Sequence, residues 1–126
     1  MMRFHLKILP GLILVAMAFL LAMPAWAQRV WKVDVTGTQF EPKELTVWPG
    51  DTIQFCNNGT WRRQPYTGEK YNRFSTRKPE THEMLKKGEC KEMTVQNPTK
   101  TWLRFNVRDA VNMDMKLKLK VNPGPS

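Results

Sequence analysis

Apolar and polar residues alternate with a period of two along most of the chain. Trp31, Val33 and Val35 fall on one side of such a run, with Lys32 and Asp34 on the other. Leu45 and Val47 share a face, and Ile53 and Phe55 resume the pattern after a Pro49-Gly50-Asp51 turn. Further on, Leu103, Phe105 and Val107 alternate with Arg104 and Asn106. The sharpest run comes last, where Leu117, Leu119 and Val121 interleave with Lys116, Lys118 and Lys120. Side chains repeat their face every second residue in a strand, so each run predicts a strand with one face on a core and one in water. Several such strands joined by turns, with no long helical periodicity, predict an all-β sandwich.

Two stretches break the pattern. Residues 57–90 are rich in charge and poor in apolar positions, which predicts a long irregular excursion between strands. Within it, Thr81 to Lys87 could form one or two helical turns ending at Gly88, with Lys86 and Lys87 in the last turn. The other break is N-terminal. Arg3 and Lys7 precede an apolar run from Ile8 to Met23, and small residues stand at the −3 and −1 positions of a cut after Ala27. That layout is a secretory signal, and the apolar run is short of the roughly 20 residues of a bilayer span. The expected organisation is a signal peptide over 1–27, one domain over 28–122 and a flexible tail over 123–126. Such a chain would be periplasmic or secreted.

The whole sequence carries a net charge of +9. Cleavage would remove Arg3 and Lys7 and no acidic residue, leaving 18 basic against 11 acidic residues, a net of +7. In an exported protein this basicity points to an acidic protein partner, an anionic membrane surface or solubility, and away from nucleic acid. Cys56 and Cys90 are the only cysteines. In an oxidising compartment they read as a disulfide, with a thiolate metal site as the alternative. No catalytic constellation stands out: one His remains after cleavage, and no nucleophile elbow or phosphate loop is present. The expectation is therefore a non-enzyme. Asn58-Gly59-Thr60 fits both a glycosylation acceptor and a plain turn.

The stretch from Gln39 to Phe55, QFEPKELTVWPGDTIQF, resembles the opening of the cupredoxins, the plastocyanin- and pseudoazurin-like small copper proteins. Their pattern F-x-P-x-x-L-x-V-x-x-G-D-x-V-x-F is followed by an Asn, where this chain has Asn57 and Asn58. The end of the chain, from Met113 through Val121, resembles the family's last strand and axial Met. The resemblance implies a Greek-key β-sandwich holding one copper ion for electron transfer. A type 1 site needs two imidazoles, one thiolate and a weak axial thioether. Here Arg63 or its neighbour stands where the first His is expected, and residues 105–113 hold neither Cys nor His. Met113 alone matches. Arg is a donor that stays protonated and cannot ligate a cation, so no copper cofactor is expected in the usual site.

Two readings follow. The first is an exported binding or accessory protein of cupredoxin type that docks an acidic exported partner, a redox enzyme being one candidate. Its docking surface would be the basic, aromatic excursion, in particular Trp61, Arg62, Arg63, Tyr66, Lys70, Tyr71 and Arg73, because Arg and aromatic residues are enriched at protein interfaces. The second is a copper carrier or electron-transfer protein with nonstandard ligands, His82, Met84, Met113 and Met115.

Overall fold

The computed structural model describes residues 29–124. The signal peptide expected over 1–27 and the last two residues of the expected tail lie outside the described residues. Eight strands follow in order: β1 (Val30–Val35), β2 (Phe40–Glu41), β3 (Glu44–Val47), β4 (Thr52–Asn57), β5 (Pro65–Tyr66), β6 (Cys90–Thr94), β7 (Leu103–Asp109) and β8 (Lys116–Val121). They form two four-stranded sheets, ordered β2-β1-β4-β6 and β3-β8-β7-β5. The chain changes sheet at five of its seven connections, which is why β1 lies parallel to β4 and β3 parallel to β8. The remaining pairs are antiparallel. The all-β sandwich expected from the alternation is present.

The alternating residues meet between the sheets. Val33, Val35, Ile53, Phe55 and Met93 come from one sheet, and Val47, Val107, Leu117, Leu119 and Val121 from the other; all belong to one buried cluster. Phe40 meets the Phe55 ring edge-on at 6.0 Å between centroids, and Phe74 stacks on it at 5.6 Å. Asp51 ties one end of this core. Fully buried after the left-handed Gly50, its carboxylate accepts hydrogen bonds from Trp31 Nε1 (3.0 Å), Trp48 N (2.9 Å) and Arg29 N (3.3 Å).

Cys56 and Cys90 face each other across β4 and β6 and form a disulfide, with their Cα atoms 4.1 Å apart. The excursion that they bracket is not helical. Its backbone makes one turn, with Glu83 and Met84 N–H both bonded to Glu80 O, and then extends. The reason lies at Leu85: its N–H donates to Arg63 O (2.7 Å), and its carbonyl accepts from Arg63 N (3.0 Å) and Asn57 Nδ2 (2.8 Å). These partners take the groups that a continuing helix would need. The rest of the excursion lies along the open side of the sandwich. Phe74 pairs with Thr67, Asn72 Oδ1 accepts from Gln96 N (2.7 Å), and Lys91 on β6 pairs with Glu83 and lies over the Phe74 ring at 5.4 Å.

Candidate functional site

One end of the sandwich gathers the turn after β1, the β4–β5 loop and the β7–β8 loop. Asn57, at the end of β4, organises the middle one. Its Nδ2 donates to Trp61 O and Leu85 O, each at 2.8 Å, and its Oδ1 accepts from Gly59 N at 2.9 Å. Gly59 is needed here because a Cβ would meet the Gly37 backbone N at 3.0 Å. Asn58 is exposed in this turn and donates to Asp34.

Below the loops lies a buried polar network. Asp109 ends β7 on its inward face and is fully buried. One carboxylate oxygen accepts from Gln64 N at 2.5 Å, and the other accepts from Asn112 N at 2.8 Å. Arg63 Nε stands 3.6 Å from the second oxygen. This is an ion pair without a hydrogen bond, and it leaves Nε unpartnered. The rest of the guanidinium reaches Gly37 O (2.8 Å) and Arg62 O (3.1 Å). Gln64, also fully buried, donates to Thr76 O (2.6 Å) and Lys78 O (2.9 Å) and accepts from Glu80 N (2.9 Å), so it anchors the excursion. Burial pushes the Asp109 carboxyl above the usual Asp range, against the two backbone N–H groups and Arg63.

Above this network the end is partly apolar. Trp61 is 69% exposed, Val111 is exposed, and Met113, 37% exposed, holds its sulfur 3.4 Å from the Tyr66 hydroxyl. Arg62 stands exposed beside Trp61. Lys70 is exposed over the Tyr71 ring at 5.3 Å, and Arg73 is exposed farther along the excursion. Arg63 departs from the expected docking set. At 5% exposure it faces inward and cannot meet a partner, because its guanidinium is committed to Asp109 and Gly37.

The four residues weighed as copper ligands fall in different settings. His82 stands in solvent between Glu80 (3.2 Å) and Glu83 (3.7 Å), and Met84 is half-buried in the excursion. Met113 is at the surface, whereas Met115, 2% exposed, belongs to the core. The alternation of Leu117, Leu119 and Val121, extended back by two residues, already places Met115 inward. The same reasoning applied to β7 places Asp109 beside Leu103, Phe105 and Val107, and a carboxylate at such a position signals a buried charge. No sequence signal pointed to Gln64.

The architecture can now be compared with solved structures. Amicyanin from Paracoccus versutus matches with a TM-score of 0.56 at 16% identity over 80% of this chain and 86% of that one. An amicyanin variant in its reduced state matches at 0.57 and 19% identity, over 74% and 82%. The chain has the cupredoxin fold. A copper-containing nitrite reductase from Thermus scotoductus matches at 0.58 and 22% identity over 78% of this chain but only 23% of that one, so the likeness is to one part of that enzyme. No family model matches the sequence, and no curated protein matches it significantly.

At this end of the cupredoxin fold the side chains available to an ion are Gln64, Asp109, Asn112 and the Met113 thioether, with Arg63 among them. They offer one carboxylate, already accepting two backbone hydrogen bonds, beside a cation that cannot ligate. The two cysteine sulfurs are joined in a disulfide and so offer no thiolate. Among the described residues, no three His, Cys, Asp or Glu side chains converge as a metal group would require. These residues do not fit a type 1 copper ion, which calls for imidazole and thiolate.

Proposed function

We propose that this is an exported, cupredoxin-like binding protein that docks an acidic exported partner through the Trp61–Arg62 end of the sandwich. A redox enzyme is one class of partner, and the protein itself is not an enzyme. The observation that carries the reading is the Arg63–Asp109 pair, a buried cation held where a copper site would need donors. Above it, Trp61, Tyr66, Val111 and Met113 offer apolar area with Arg62 at its edge, and Trp, Tyr and Arg are the residues that anchor protein interfaces. Lys70 and Arg73 add positive charge along the excursion, suited to steering an acidic partner. The export signal read in the sequence supports a periplasmic or secreted location for this docking.

Metal analysis and a thiol count on the purified mature protein, after incubation with Cu(II) and then Cu(I), test the first half. The expected result is substoichiometric copper and no free thiol. Stoichiometric Cu(I) that disappears in Met113→Leu and His82→Ala variants would instead establish a carrier with thioether and imidazole ligands. For the second half, immobilised protein is expected to retain an exported acidic partner in a salt-sensitive manner. Trp61→Ala/Arg62→Glu should abolish that retention while the thermal midpoint stays unchanged. Equal retention by the variant sinks the docking surface.

A further inference from the structure

The outward faces of the two sheets carry opposite charge. On the β3-β8-β7-β5 sheet, alternation turns Lys116, Lys118 and Lys120 outward from β8, and Arg104 and Arg108 outward from β7. Glu44, 3.8 Å from Lys118, is the one carboxylate among the outward strand residues of that sheet. The other sheet turns Asp34, Glu41 and Glu92 outward, with Lys32 as the lone cation among its outward strand residues. Basic residues serving solubility alone would have no reason to segregate in this way.

The register adds an independent point. Arg104 lies directly opposite Lys120, and Arg108 directly opposite Lys116. Like charges so placed weaken a sheet, whereas an acidic residue at either position would strengthen it. Arg108 donates to Met113 O (3.2 Å) and Lys120 lies over Trp102, but neither contact requires a like charge across the ladder, so the repulsion points to a role for this face outside the fold.

We propose that this face docks flat on an anionic membrane surface, its cations meeting phospholipid headgroups. The cations repeat about 6.7 Å apart along a strand and about 4.8 Å between strands, an extended array that complements an anionic surface. Lysine predominates on the face. Its strongly hydrated ammonium is depleted in protein–protein interfaces but stays wet, and therefore uncompromised, in a headgroup layer. A group of five Lys and Arg is within the range that anionic leaflets attract. At the rim of the face, Trp102 is 42% exposed with Lys120 4.5 Å from its ring, and an indole favours the boundary between apolar and aqueous phases. The proposal does not depend on docking at the Trp61 end.

Co-sedimentation of the mature protein with vesicles tests it. Phosphatidylcholine vesicles containing about 30% phosphatidylglycerol are compared with phosphatidylcholine alone, at low salt and at about 0.5 M salt, where screening is strong. The expected result is at least tenfold stronger partitioning to the anionic vesicles, lost at high salt. Lys116→Gln/Lys118→Gln/Lys120→Gln should lower it at least tenfold. Lys70→Gln/Lys86→Gln/Lys87→Gln, which removes the same charge from the excursion, should change it less than about threefold. An absence of preference for anionic vesicles overturns the proposal. So does equal loss in the two variants, which would make net charge rather than this face responsible. Binding to an acidic polysaccharide or protein that depends on the β8 lysines, without vesicle binding, assigns the face to that partner and overturns the membrane reading.

Discussion

Arg63 and Asp109 form a buried ion pair with incomplete hydrogen bonding, a combination that stabilises little on net but is costly to break on one side. Arg63→Met is expected to lower unfolding stability by about 3 kcal/mol, because it leaves a buried carboxylate without its cation. Adding Asp109→Asn to that variant should cost less than the sum of the two single changes, and chemical denaturation of all four proteins measures the coupling. The pair also has a pH signature. The folded-state pKa of Asp109 is raised by burial, so its contribution to stability is fully present below the ordinary Asp value and is lost as pH rises through the raised one. The stability advantage of wild type over Asp109→Asn should therefore shrink as pH rises above the ordinary Asp value, read as the difference in denaturation midpoints. A widening gap would mean that the carboxylate is held ionised by its partners.

At the level of strands, the disulfide and the β7–β8 register lend themselves to measurement. Cys56 and Cys90 are separated by 34 positions, and the bond closes the whole excursion into a loop. Replacing both by Ala should cost about 2–4 kcal/mol in thermal unfolding, with the fold retained because the β4–β6 ladder and the core remain. On β8, Lys116→Glu places a carboxylate opposite Arg108 and should raise stability by about 0.5 kcal/mol while weakening any anionic docking. Strands β1, β3, β4, β7 and β8 were legible in the sequence because the core itself imposes their alternation, whereas β2 and β5, two residues each, are too short to show a period. The cysteine pairing was legible from the oxidising compartment that the sequence led us to expect. The excursion was not, for two physical reasons. Its pairings at Arg63–Leu85 and Thr67–Phe74 are single bridges, too short to impose a period. Arg63 looked like a surface cation because Asp109, which draws it inward, is remote in sequence and adjacent only once β5 pairs with β7. Met113 likewise lies in a turn, where alternation gives no guidance, and Met115 takes the inward place.

For the molecule as a whole, net charge says less than where the charge sits. On cation-exchange chromatography, replacing Lys116, Lys118 and Lys120 with Gln should lower retention more than replacing Lys70, Lys86 and Lys87, although both remove the same charge. Equal shifts would show that the protein presents no preferred side. The sheet faces differ in sign across the roughly 10 Å that separates two packed sheets. Such a separation is an electric moment perpendicular to the strands, and near a charged plane it exerts a torque before any contact forms. The sandwich would arrive already turned, basic face down, with its strands parallel to the surface. Trp61 and its neighbours sit at the strand ends, so they would point along that surface rather than into it or away from it. A partner confined to the same surface would then be met by movement in two dimensions, edge first.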